Sequence, residues 1–242
     1  IDYKKSLKRL NNFKFKNWQI TTKIDPKNLD FSSEHNLYLS VENQIELFKK
    51  NSSIKTIKNL LLRNSNIFLT SKGEVLFKVL KKIKKKKLVN NFGYSIYDFK
   101  SLKKIIHKFK PDLIQCPYNV LDRRIENTEL RKLLKKKKIK VQARSIFLQG
   151  VLLKKIDELP KSFQKWRKIF LKFENTLKIN KISALSLCFN FVNNNKDIDE
   201  ILVGVQNNEE LKQILDIKPN NKIFMYKYFN KANYNLIDPT KW

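Results

Sequence analysis

At 242 residues and 41% hydrophobic content, the chain can bury one sizeable core, and a single domain over residues 1–242 is expected. Its 52 Lys and Arg against 22 Asp and Glu give a charge of +30, which would suit a polyanionic partner. The crowding of Lys, Asn and Ile would equally follow from AT-rich coding. No apolar run approaches the roughly 20 residues needed to cross a bilayer, and IDYKKSLKRL lacks a signal-peptide core, so a cytoplasmic location is expected.

In chain order, residues 18–24 (WQITTKI) read as a strand, the stretch around 41–50 as an amphipathic helix, and 56–63 (TIKNLLLR) as the next strand. Between the first two, the Pro- and Ser-containing segment 25–36 reads as a loop. A helix over 73–87 follows, with Val75, Leu76, Val79, Leu80 and Ile83 on one face. Strands are expected at 90–96, 112–118, 139–147 and 200–205. Helices are expected near 99–109, 126–138, 162–179, 183–192 and 208–215, and long irregular stretches at 148–161 and 216–242.

Strands alternating with helices indicate βαβ units and a parallel sheet. No Gly-x-Gly-x-x-Gly follows any strand, and the chain has only 4 glycines, which disfavours a doubly wound dinucleotide fold and favours a (β/α)₈ barrel. The lysine runs at 81–87 and 135–138 close helical patterns, where cations complement the macrodipole. On that placement the charge reads as solvated helix ends in preference to a nucleic-acid or anionic-membrane surface, and any DNA binding should be weak and salt-sensitive. Cys116 and Cys188 lie in apolar stretches and read as small buried hydrophobes, with no metal site or disulfide indicated. His35 in a loop and His107 on a Lys-rich helix read as neither ligand nor base.

Barrel active sites are built at strand C-termini. Here those ends carry Lys23, Arg63, Ser95, Gln115, Arg144 with Ser145, and Gln206 with Asn207, a lining suited to a polar cofactor, although any strand turns polar where it leaves a core. TTKI, LLLRN, NFGYS, KPDLIQCPYNVLDRR, VQARSIFLQGVLL and IDEILVGVQNNEELKQIL resemble, in order and spacing, the strand ends of aldo/keto reductases. The resemblance is nearest to bacterial members associated with surface-polysaccharide and nucleotide-sugar genes, and the ending LIDPTKW is similar to theirs. It implies an α/β fold, the (β/α)₈ barrel, here lacking the first strand and most of the second.

The resemblance also implies a chemistry. In the family a tyrosine acts as acid to the substrate carbonyl, beside a lysine, an aspartate and a histidine, while hydride passes from a nicotinamide. Tyrosine is too weak an acid near neutral pH unless a nearby cation favours its phenolate. Lys23 matches the family lysine and Tyr3, in YKKSLKRL, the tyrosine, although Lys4, Lys5 and Leu7 replace the usual Gly, Asn and Glu. The family histidine falls on Arg63. The family aspartate precedes the tyrosine by a few residues, so Asp2 takes its place only if the intervening loop is deleted.

For the cofactor, the resemblance assigns Ser95 and Gln115 to the nicotinamide carboxamide, and Arg144 and Ser145 to the strand end beneath the pyrophosphate. After the last strand, Gly204, Gln206, Asn207 and Glu210 replace the Lys-Ser and Arg pattern that grips a 2′-phosphate. NADP is the expected cofactor, with NAD as the alternative, and a small carbonyl compound, sugar-derived in one version, the expected substrate. The competing readings are a degenerate barrel that binds a nucleotide or protein partner without turnover, and a polyanion binder. Oligomeric state is not encoded in any pattern here.

Overall fold

A computed structural model of the chain describes residues 18–220 and 234–242. The strands are β1 (Thr21–Ile24), β2 (Ile57–Leu62), β3 (Val89–Ser95), β4 (Leu113–Pro117), β5 (Lys140–Arg144) and β6 (Glu200–Ile201). The helices are α1 (Glu34–Ser52), α2 (Lys72–Lys85), α3 (Leu102–Lys108), α4 (Thr128–Lys136), α5 (Arg167–Asn180), α6 (Ala184–Asn193), α7 (Asn208–Leu215) and α8 (Tyr234–Ile237). The described residues divide into two compact units, one of 18–115 with 133–139, the other of 116–132 with 140–220 and 234–242.

In the first unit β1 pairs with β2, β2 with β3 and β3 with β4, all parallel. Side chains alternate across a sheet, and the two faces differ in chemistry. One face carries Phe92 and Tyr94, which meet aromatic residues from the helical side: Phe77 stands 5.8 Å edge-on to Phe92, and Phe68 lies 4.8 Å from Tyr94. The Tyr94 hydroxyl donates to Phe109 O at 2.8 Å. Against this layer α2 buries Leu76, Val79, Leu80 and Ile83, the i, i+3, i+4, i+7 stripe of an amphipathic helix. Each such burial contributes about 1.5–3 kcal/mol.

The opposite face is polar at both ends. Asn91 Nδ2 donates to Asn59 Oδ1 at 2.9 Å, and Asn59 Nδ2 donates to Thr21 Oγ1 at 3.0 Å, a ladder across three paired strands. One row on stand Lys23, Leu61, Gly93 and Leu113. A Cβ at Gly93 would lie 2.3 Å from Leu113 O, so glycine is what lets β4 approach here. The next row is Arg63, Ser95 and Gln115.

Several elements depart from the sequence expectation. Helix α1 begins at Glu34, well before residue 41, because Ser33 caps it by accepting from Asn36 N at 3.0 Å. The helix expected over 162–179 starts as a 3₁₀ segment, Lys161–Trp166, and becomes α-helical at Arg167. The expected strand 200–205 pairs regularly only at Glu200–Ile201, and Leu202 N extends it by donating to Ala143 O at 2.8 Å. The strand 139–147 stops at Arg144, since Ser145 has a left-handed φ of 56°. The lysine runs do close helices: Lys82, Lys84 and Lys85 sit in the last turn of α2, and Lys135 and Lys136 in that of α4.

In the second unit β5 pairs with β6 in parallel. The segment 118–126 is the centre of a polar network. Asn119, fully buried, accepts from Leu121 N and Asp122 N and donates to Ser145 O at 2.9 Å. Asp122, also fully buried, takes two bonds from Arg124, at 2.9 and 2.7 Å, and the guanidinium lies 5.4 Å over the Tyr234 ring. Glu126 accepts from the Tyr118 hydroxyl and from Arg123. Burial, with the Glu126 carboxylate, raises the Tyr118 phenol far above its ordinary range. The C-terminal Trp242 packs 5.0 Å edge-on to Phe163 and donates to Leu236 O, which gives the LIDPTKW ending its place.

Candidate active site

In the first unit the C-terminal strand ends gather Lys23, Arg63, Ser95 and Gln115 on one sheet face. Lys23 lies a row below the others, and its long stem carries Nζ up to 3.4 Å from Ser95 Oγ. Ser95 pairs with Gln115 across β3 and β4, and both are almost wholly buried. Arg63 directly follows β2, and its N–H donates to Ile24 O at 2.9 Å, so the ladder continues and alternation brings Arg63 beside Ser95. Lys23 and Arg63 are half-buried. Four of the residues singled out from sequence thus meet in one place. Tyr3 and Asp2 lie outside the described residues.

The loops after β1 and β2 flank a groove of about 380 Å³, lined among others by Lys27, Phe31, Asn64, Asn66 and Lys72. Lys72 Nζ stands 4.8 Å over the Phe31 ring. Asp25, at the groove edge, accepts from Lys27 N at 3.0 Å and so caps its own turn.

In the second unit Arg144 ends β5, and its guanidinium donates to the Ser145 hydroxyl at 3.2 Å. The loop that follows holds Ser145, Leu148 and Gln149 at φ of 56°, 48° and 55°. Left-handed backbone in non-glycine residues is costly and is concentrated at ligand sites and turns. Asn119 secures the start of this loop through Ser145 O, a role the sequence did not suggest although Asn119 lies within KPDLIQCPYNVLDRR, one of the stretches that carry the resemblance. Gly204, Gln206 and Asn207 are exposed. Asn207 Oδ1 accepts from Glu210 N, and Glu210 in turn accepts from Gln206 N, both at 2.8 Å, which caps α7.

His35 and His107 are exposed. Cys116 and Cys188 are buried free thiols, and burial pushes Cys116 up to about 12. Among the described residues, no group of three His, Cys, Asp or Glu could hold a metal, and no helix is long and apolar enough to cross a membrane.

The sequence model of the aldo/keto reductase family matches residues 3–223. The chain belongs to that family. Its fold is that of aldo/keto reductase barrels: the holo form of aldo-keto reductase AKR11C1 from Bacillus halodurans superposes with a TM-score of 0.71 at 15% identity, over 95% of this chain and 78% of that one. The thermostable aldo-keto reductase Tm1743, in complex with the inhibitor epalrestat, gives 0.66 at 16% identity, over 95% and 77%. MGS-M4, an aldo-keto reductase from a Medee basin deep-sea metagenome library, gives 0.65 at 14%, over 95% and 77%. No curated protein sequence matches the chain. The parallel α/β sheet of this aldo/keto reductase is therefore a (β/α)₈-type sheet, and the family is one of oxidoreductases that act on small carbonyl compounds with NAD(P)H.

Proposed function

We propose that this aldo/keto reductase reduces a small aldehyde or ketone with NADPH, NADH being the alternative reductant. The observation that carries the reading is the convergence of Lys23, Ser95 and Gln115 at adjacent strand ends, with the ammonium 3.4 Å from the serine hydroxyl. A buried hydroxyl beside a buried carboxamide offers both donors and acceptors, the inventory a nicotinamide carboxamide needs. The residues present fit that group, which when bound supplies the hydride.

The chain's own residues do the rest. Tyr3, assigned from the family resemblance, donates the proton that the carbonyl oxygen takes up. Lys23, a half-buried cation, favours the phenolate that remains, lowering the cost of giving the proton away. Gln115 and Ser95 hold the carboxamide and so fix which ring face meets the substrate. Arg144 and Ser145 are proposed, from the resemblance, to bind an anionic part of the cofactor. Gln206, Asn207 and Glu210 carry no positive charge, and Asn207 and Glu210 are engaged at the start of α7, so a 2′-phosphate gains no cation from them and any preference for NADPH over NADH should be narrow.

Cofactor titration by protein fluorescence, followed by a panel of carbonyl compounds, tests the reading. NADPH consumption matched to carbonyl loss is expected. Quenching without consumption across the panel would instead support binding without turnover, for which Arg63 in the family histidine position is the motivation. Absence of binding by either nucleotide would remove the reading.

A further inference from the structure

The lysine runs, separate helix ends in the sequence, share one location in the fold. Residues 49–58, 84–91 and 133–139 each hold four lysines and no acid. These stretches join α1 to β2, α2 to β3 and α4 to β5, and all three lie in the first unit. A helix that returns along a parallel sheet ends where the next strand begins. The joints therefore stand at the strand starts, the end of the sheet opposite Lys23, Ser95 and Gln115. Strands β2 and β3 start side by side, Ile57 opposite Val89. The third joint is tied to the end of α3 by Lys137 Nζ, which donates to His107 O at 3.3 Å. Two of the lysines meet acids from outside the joints, Lys84 at 2.6 Å from Asp112 and Lys49 at 2.9 Å from Glu46.

Neither the macrodipole nor coding bias accounts for this gathering. A cation complements a helix end only within the last turn, whereas Lys55, Lys87 and Lys138 stand beyond their helices. AT-rich coding enriches lysine along the whole chain and does not clear acids from these three stretches. Cations crowded on one surface repel one another, and a polyanion offsets that cost. Compact ammonium groups suit phosphates as point charges, and the exposed Asn90 adds an amide donor. The apolar residues between the lysines turn inward, Ile54, Ile57, Val89, Leu134 and Ile139 all being buried, so these stretches offer little to the apolar interior of a bilayer. We infer that this end of the first unit binds the phosphate backbone of a nucleic acid without reading its bases. The surface is separate from the strand ends proposed to hold the cofactor, and the inference does not rest on the reduction.

Fluorescence anisotropy of labelled duplex DNA and single-stranded RNA, titrated with the full chain, tests this. Binding of at least one probe with a dissociation constant of about 10⁻⁴–10⁻⁶ M near physiological salt is expected, weakening steeply as salt rises. Excess NADPH should leave it unchanged. Lys50, Lys85 and Lys136, exposed helical positions from the three joints, are replaced together by Gln, which keeps helix propensity. A second variant replaces the exposed Lys168, Lys196 and Lys212 of the second unit in the same way, so both lose the same charge. With folding of each verified by circular dichroism, the first should bind about tenfold more weakly and with a shallower salt dependence, and the second should stay within about twofold of the unsubstituted protein. Equal losses in the two variants would show that net charge alone attracts the nucleic acid and would overturn the inference. Displacement by NADPH, or no binding of either probe, would overturn it too. Tighter binding to vesicles of phosphatidylserine and phosphatidylcholine than to both nucleic acids would overturn it in favour of a membrane surface.

Discussion

Two polar regions of this aldo/keto reductase handle charge in opposite ways. In the segment 118–126 every acid has a local basic or hydroxyl partner: Asp122 is clasped by Arg124, and Glu126 by Arg123 and Tyr118. At the ends of β1–β4, by contrast, the ammonium of Lys23 reaches a neutral hydroxyl, and Arg63 stands one strand from it. The first arrangement pairs its acids locally; the second brings Lys23, Ser95 and Gln115 to neighbouring strand ends, where we propose that the cofactor binds. Apart from Gln115, the stretch KPDLIQCPYNVLDRR builds scaffold, and the chemistry proposed above falls on strand-end residues spread along the chain.

The sharpest way to break that contrast is to open the closed network. Asp122→Ala removes a fully buried carboxylate and leaves the half-buried Arg124 guanidinium without its two bonds, at a cost of about 3 kcal/mol in urea unfolding. A loss below about 0.5 kcal/mol would mean that the network is not structural. Asn119→Ala should cost about 2 kcal/mol by stranding two buried N–H groups, and should also loosen the 145–150 loop. Proteolysis or hydrogen exchange at that loop checks the second part.

A pH effect comes from the buried core beside the closed network, at Cys116. Burial holds Cys116 at about 12, above its ordinary value, so the folded state keeps this proton while the unfolded chain loses it. Stability from this group is then complete below about pH 9 and declines as pH rises toward 12. The unsubstituted protein should lose stability over that interval more steeply than Cys116→Ala. Parallel pH profiles would contradict the assignment.

Helix ends give the smallest effects, with opposite sign. Lys87, Lys138 and Lys181 follow helices at φ of 59°, 53° and 48°, where Leu88, Ile139 and Ile182 donate back to Ile83, Leu134 and Leu177. This is the Schellman geometry that ordinarily takes glycine. Replacing each lysine by glycine should stabilise the protein by about 0.5–1 kcal/mol, the relief of left-handed backbone less the added freedom of the unfolded chain. Thermal unfolding of the single variants measures it, and a uniform loss would show that the lysine side chains contribute packing.

The sequence made the alternation of strands and helices legible because Leu76, Val79, Leu80 and Ile83 recur at helical spacing and the run Leu60, Leu61 and Leu62 does not. Ser95 and Gln115 stand out in the sequence as polar groups that follow apolar residues, whereas Lys23, preceded by Thr21 and Thr22, stands out through its resemblance to the family lysine. The Thr21–Asn59–Asn91 ladder was not, since its members are distant in the chain and only the register unites them. Nor was the early start of α1, which depends on a single Ser33 cap within a stretch of loop-like composition. The left-handed lysines were hidden because Lys at a helix end also suits the macrodipole, and composition alone does not separate the two roles.

The central claim is that the strand ends of the first unit hold the nicotinamide. It is tested most directly by titrating NADPH into the unsubstituted protein, Ser95→Ala and Gln115→Leu, with folding of each variant verified by circular dichroism. Loss of the carboxamide's partners should weaken binding by about tenfold in each variant. Equal affinity in all three folded proteins would place the nucleotide elsewhere and contradict the account.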